Sequence, residues 1–256
     1  MRIAVAGKGG AGKTTLSATL ARLCGRAGYP VIAIDADPNP NLATALGVPH
    51  DAAPALPASV VSRRLVGRAL ADPVTDVLSR YGTTGPDGTL LVVISAPDRA
   101  GEGCLCSSHG AVAALLADLR EEDGQRTVIV DMEASPEHLA RGTAADVDVM
   151  LLVTEPYYRS LETTARLAAL AAQTAIAEVK VVANKIRSQA DAQAVAEFCQ
   201  RHGLRMAAEV PWSEGAAAAD RTTRPLVDAF PDDPAVRAIA RLAGDALADR
   251  MKAPAG

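Results

Sequence analysis

Gly7-Lys8-Gly9-Gly10-Ala11-Gly12-Lys13-Thr14 places four glycines, two lysines and a threonine within eight residues. Glycine lets successive backbone N–H groups turn onto one anion, and a helix start behind them adds partial positive charge. The spacing is G-x-x-x-x-G-K-[ST], which cradles the phosphates of a nucleotide when a strand precedes it and a helix follows. Here Ile3-Ala4-Val5-Ala6 reads as that strand, and Leu16, Leu20, Leu23 and Cys24 recur at helical spacing behind it. The chemistry is nucleoside triphosphate binding. Gly9, Gly10, Ala11 and Gly12 supply backbone donors, Lys13 reaches the β- and γ-phosphates, Thr14 ligates Mg²⁺ and Thr15 meets the α-phosphate. Lys8 is an addition, because a single subunit holds its phosphates without a second lysine.

Acidic residues stand where such a loop needs them. Asp35-Ala36-Asp37-Pro38-Asn39-Pro40-Asn41 follows the strand Val31-Ile32-Ala33-Ile34, so its carboxylates face the ligand crevice at the C-terminal strand ends. Asp37 is the candidate for orienting the attacking water, and Asn41 for supporting Mg²⁺ or a partner's nucleotide. Val128-Ile129-Val130-Asp131 is an apolar strand ending in an acid, which would hold Mg²⁺ through water. Asn184 ends another apolar run and is placed to meet a purine edge. Arg187 stands where a guanine-binding protein needs an acceptor and offers none, which favours ATP over GTP. Pro211 and Trp212 are candidates to pack near the base, Trp212 equally as ordinary core.

Four cysteines do not make a disulfide scaffold. Cys24 and Cys199 fall on apolar helix faces and read as buried structural residues. Cys104-Leu105-Cys106 differs, lying in a glycine-bounded loop before a helix. Two thiolates supply half of a tetrahedral shell for one soft metal, and a two-fold dimer would close it with four sulfurs. His109 is the alternative ligand within one subunit. No role is assigned to Glu133, Glu137 or His138.

The K-G-G-x-G-K-T-T form resembles the deviant P-loop ATPases, which include MinD, ParA and the nitrogenase iron protein. In that family the early lysine, here Lys8, reaches across a dimer to the partner's nucleotide. Asp37 then matches the first switch, and Met132-Glu133-Ala134-Ser135 the second. The mid-sequence C-x-C, Glu137-His138-Leu139, Arg141-Gly142-Thr143, Glu155-Pro156 and Arg159-Ser160-Leu161-Glu162-Thr163 extend the resemblance to the CooC-type ATPases. That resemblance implies a homodimer controlled by ATP and metal, with Cys104 and Cys106 binding Ni²⁺ or Zn²⁺ at its interface. It implies delivery of nickel to a carbon monoxide dehydrogenase-like client. Ser135 departs from the glycine common in such relatives. A ParA/MinD-like positioning switch is the other reading. An iron–sulfur donor is disfavoured, because the second switch has no cysteine.

The elements that must position these residues follow from the remaining pattern. Leu90 to Ile94, Thr127 to Val130, Val149 to Val153 and Val179 to Ala183 are short apolar runs that alternate with helical spacing. This predicts an α/β fold, a mostly parallel sheet flanked by helices on both faces. The whole sequence, 1–256, reads as one P-loop ATPase domain with an elaborated surface segment at 51–88. Residues 211–234 read as irregular, and Ala235 to Met251 as a final helix. The net charge of −4 argues against a nucleic-acid partner. No apolar run approaches the roughly 20 residues of a membrane span. The tail mixes Arg237, Arg241, Arg250 and Lys252 with Asp245 and Asp249, which argues against membrane docking. With no signal-peptide pattern at the N-terminus, the default compartment is the cytoplasm.

Overall fold

The structure, a computed structural model, describes residues 1–49, 51–63, 69–94, 106–121, 126–133 and 146–252. Among these residues nine strands form one sheet: β1 Arg2–Gly7, β2 Val31–Ala36, β3 Ala55–Leu56, β4 Thr83–Thr84, β5 Leu90–Ile94, β6 Thr127–Met132, β7 Val149–Thr154, β8 Glu178–Ile186 and β9 Arg205–Pro211. Nine α-helices pack around it: α1 Lys13–Arg26, α2 Leu42–Leu46, α3 Val74–Tyr81, α4 Cys106–Glu121, α5 Tyr158–Ala171, α6 Gln189–Arg201, α7 Glu214–Arg221, α8 Leu226–Ala229 and α9 Pro234–Lys252 among the described residues. The strand order is β3-β5-β2-β6-β1-β7-β8-β9. Every pairing is parallel except that of β4 with β5.

Side chains alternate across a strand, so a sheet covered twice needs apolar residues at every position. The central strands meet that demand. Ala4, Ile32, Ile34, Val128, Val130, Met150 and Leu152 join one core with α3 to α6. Ile3, Val5, Val31, Ala33, Ile129, Leu151 and Val153 join the other with α1, α2 and α9. Each Ile or Leu fully buried this way contributes about 1.5–3 kcal/mol.

The sheet and its helix layers follow the sequence pattern; three regions differ from it. Segment 51–88 is built into the sheet edge rather than laid over the surface. β3 and β4 pair with opposite ends of β5, and Leu56, Leu70, Val74, Val77 and Leu78 enter the core. Asp118 of α4 fixes this segment, accepting from the Ala69 and Leu70 N–H groups at 2.8 and 3.1 Å. Residues 211–234 hold α7 and α8 instead of irregular backbone, α7 being capped by the Ser213 hydroxyl on the Ala216 N–H at 2.7 Å. Arg22, on the polar side of the α1 pattern, is 3% exposed and sits in a cluster of charges. Cys24 and Cys199 are buried, as their helix positions imply. No helix among the described residues is long and apolar enough to cross a membrane.

Candidate nucleotide site

The site lies where β1, β2 and β6 end side by side. Val5 and Asp35 both stand in register with Asp131, so the phosphate loop and two acids share one crest of the sheet. Gly12, at φ +95°, begins α1 in a left-handed conformation open to glycine. The loop is closed by the Ala11 N–H donating to the Lys8 carbonyl at 3.1 Å. Lys13 is buried, and its ammonium reaches back to the same carbonyl at 3.5 Å. The Lys8 ammonium makes no hydrogen bond or ion pair among the described residues.

Asp131 is 1% exposed and accepts from the Ser17 hydroxyl at 3.1 Å, with the Thr14 hydroxyl beside it. Burial pushes its carboxyl up to about 6, against the pull of those hydroxyls and of Lys13. Asp35 is wholly buried, and burial followed by the Asp131 charge pushes it up to about 7. It accepts from the Leu42 and Asp37 N–H groups at 2.8 and 3.2 Å, fixing the turn that presents Asp37. Asp37 itself is half-buried and caps the Asn39 N–H at 2.9 Å. Asn41 is exposed, its amide held by the Asn39 carbonyl at 2.8 Å.

A cleft of about 400 Å³ runs from the loop toward α7 and α9. Gly10, Gly12, Lys13, Thr14 and Thr15 of the loop line it, as do Asn184, Pro211 and Trp212. Trp212 therefore faces the cleft rather than the core. Arg187 stacks on it at 3.7 Å and is not among the cleft-lining residues.

Asn184 does more than a purine contact asks. Its amide donates to the Ala11 carbonyl at 2.6 Å. A Cβ on Gly12 would come within 2.3 Å of that amide nitrogen. Gly12→Ala is therefore expected to displace Asn184 and weaken Mg–ADP binding about tenfold, from left-handed strain of about 1–2 kcal/mol and the lost contact. Isothermal titration checks it; unchanged affinity would remove Asn184 from the loop's support.

Lys185 joins the site without a signal of its own in the sequence. Its ammonium donates to the Gly10 carbonyl and pairs with Glu155 at 3.0 Å. The Asn184-Lys185 dipeptide is visible in the sequence, but the direction of the lysine depends on a strand irregularity that no local pattern announces.

Cys104, Ser135, Glu137 and His138 lie outside the described residues, as does the Cys106 side chain; α4 begins at Cys106. His109 is buried on α4. Among the described residues no group of three or more His, Cys, Asp or Glu gathers to hold a metal.

Comparison with known proteins agrees with this geometry. The family model described as the CobQ/CobB/MinD/ParA nucleotide binding domain matches residues 3–226. The carbon monoxide dehydrogenase accessory protein CooC of Rhodospirillum rubrum is 34% identical over 242 residues, 90% of this chain and 91% of that protein. An uncharacterised ATP-binding protein of Methanocaldococcus jannaschii is 34% identical over 239 residues, 88% and 91% of the two proteins. Among solved structures, MinD of Pyrococcus horikoshii in complex with Mg-ADP superposes with a TM-score of 0.74 at 18% identity, covering 99% of this chain and 98% of that one. MinD of Pyrococcus furiosus gives 0.74 at 22%, covering 96% and 98%. At these identities the two structures speak for the fold.

Proposed function

Because the chain belongs to the CobQ/CobB/MinD/ParA nucleotide-binding family, with a deviant Walker A loop, and is an ATP-hydrolysing P-loop protein, we propose that it works as a ParA/MinD-like switch. In this reading ATP closes a homodimer and hydrolysis opens it. The observation that carries it is Lys8. Lys13 already serves the loop of its own subunit, while the Lys8 ammonium stands beside the glycines with no partner among the described residues. A charge so placed is available to a second copy's phosphates and is felt by the transition state only when two subunits meet.

The roles of the remaining residues follow the same reading. Thr14 and Asp131 are hard oxygen donors beside one another, and the buried Asp35–Asp131 pair makes a cation welcome there, so the residues fit Mg²⁺. Bound Mg²⁺ supplies neutralisation of phosphate charge. Lys13 and the N–H groups at the α1 start hold the phosphates. Asp37, fixed by Asp35, orients water, and Asn41 flanks it. Asn184, Pro211 and Trp212 enclose the base, with no acceptor from Arg187 for guanine.

Lys8→Ala tests the dimer. The expected result is loss of the ATP-induced mass doubling in light scattering and a fall in turnover of roughly 10- to 100-fold, with ADP affinity within about threefold of the parent. Intact dimerisation and turnover would sink the cross-subunit role.

A second reading gives the switch a metal cargo. The 34% identity to CooC over 90% of the chain favours it, together with Cys104-Leu105-Cys106. Two copies would then hold Ni²⁺ or Zn²⁺ between four sulfurs and deliver nickel to a carbon monoxide dehydrogenase-like client. Metal titration of the double variant Cys104→Ser/Cys106→Ser decides. Unchanged Ni²⁺ and Zn²⁺ affinity would leave the plain switch.

A further inference from the structure

Consecutive residues of a strand point to opposite faces of its sheet. Asn184 and Lys185 break that rule: both reach the phosphate loop, Asn184 at the Ala11 carbonyl and Lys185 at the Gly10 carbonyl. The cause is a bulge. Ala183 pairs with Glu209 and Ile186 with Pro211, so β8 advances three residues where β9 advances two. Lys185 sits in that bulge at φ +60°, a conformation costly for any residue with a side chain. Bulges re-aim side chains, and this one delivers two neighbours to one target.

The far end of the Lys185 contact is rigid. Glu155 follows β7, and its own N–H is held by the Ser160 hydroxyl at 3.0 Å, a group 1% exposed that also meets Thr154 at 3.1 Å. Gly9 and Gly10 are exposed and have no side chains to hold them. The Glu155–Lys185 pair is therefore a strut from a fixed turn to a soft loop. A trans peptide sets its N–H opposite its carbonyl. Drawing the Ala11 carbonyl to Asn184 turns the Gly12 N–H away from β8, and drawing the Gly10 carbonyl to Lys185 sets the Ala11 N–H on Lys8.

We propose that Lys185 is a positioning residue for nucleotide binding: with Asn184 it clamps two loop carbonyls and, through Glu155, holds the loop in its phosphate-accepting shape. Its charge is engaged by Glu155 and Gly10, so it acts on the loop and not on the phosphate. The inference rests on the ATPase reading above and deepens it.

The test measures binding of Mg–ATP and Mg–ADP, steady-state hydrolysis and melting of the nucleotide-free full-length protein for Lys185→Met, Lys185→Arg and Glu155→Gln. Lys185→Met is expected to weaken ATP and ADP equally, about tenfold, with KM raised and kcat within about threefold. Lys185→Arg is expected to recover most of that loss. Glu155→Gln, which keeps size and hydrogen bonding, is expected to give about a threefold loss and serves if Lys185→Met fails to fold. Unchanged affinity in both Lys185→Met and Glu155→Gln would overturn the proposal. So would a loss much larger for ATP than for ADP, which would make Lys185 a direct γ-phosphate ligand. Failure of the parent protein to bind either nucleotide would sink the ATPase reading instead.

Discussion

Arg22→Ala is expected to cost the fold about 3–5 kcal/mol, the range for breaking a buried ion pair from one side. Arg22 lies on α1 behind the phosphate loop, 3% exposed. Its guanidinium meets Asp87 at 2.5 Å, Asp228 at 2.9 and 3.0 Å, and the Leu46 carbonyl at 2.7 Å. Its partners come from three separate parts of the fold: the 51–88 segment, α8 and the end of α2. Arg26 shares both carboxylates but is 37% exposed and cannot replace the buried contacts. Truncation leaves two acids on one cation and a carbonyl with no donor. In a protein of this size the melting temperature should fall roughly 6–15 °C. Thermal and urea unfolding followed by circular dichroism check it. A shift under about 2 °C would mean that water and Arg26 satisfy the cluster.

The nucleotide-free protein is expected to lose stability as the pH rises from about 4 to 7. Asp35 and Asp131 have their carboxyls raised to about 7 and about 6 in the fold, against an ordinary value of 3.8. A carboxyl raised by folding binds its proton more tightly in the native state. Its contribution is complete below the unfolded value and disappears as the pH passes the folded one. At about 1.4 kcal/mol per unit, Asp35 alone withdraws up to about 4 kcal/mol across that window. Asp87 and Asp148 act oppositely. Arginine hydrogen bonds and charges (Arg22 and Arg26 on Asp87, Arg2 on Asp148) overcome burial and hold them below the ordinary value. Their contribution is complete above 3.8 and goes as the pH falls through the depressed values. Stability should therefore peak near about pH 4. Melting curves from about pH 4 to 9 test this, with Asp35→Asn alongside. That variant should be weaker at about pH 4, since one amide oxygen cannot accept as the two oxygens of the carboxyl do, yet should decline less toward about pH 8. A parent protein that gains stability across this window would contradict the assignment.

The parts of the site that are legible in the sequence are contiguous ones. The phosphate loop is eight residues between a strand and a helix, and the two acids end apolar runs, so each announces itself within a short window. The parts that are not legible are pairings between distant segments. Arg22 has the pattern of a solvated helix residue because Asp87 and Asp228 lie 65 and 206 positions away. β3 and β4 are two residues each, too short to show a period, so segment 51–88 has the look of a surface elaboration. β9, Arg-Met-Ala-Ala-Glu-Val-Pro, has little strand propensity and is held by its pairing to β8. The direction of Lys185 depends on that same pairing, so it stays hidden with the strand.

The central place of β1 also bears on how the polypeptide reaches its fold. β1 has neighbours β6 and β7, both made well after it, and the Arg2 N–H waits for Asp148, 146 residues later. At about 5–20 residues per second, synthesis leaves this apolar strand without its second neighbour for roughly 7–30 s. Such non-local topology places folding in the slow, millisecond-to-second class once synthesis is complete. Early truncations that stop before Val149 lack one neighbour of β1 and should aggregate. The nascent polypeptide accordingly carries an apolar β1 without its second neighbour until Val149 has been made.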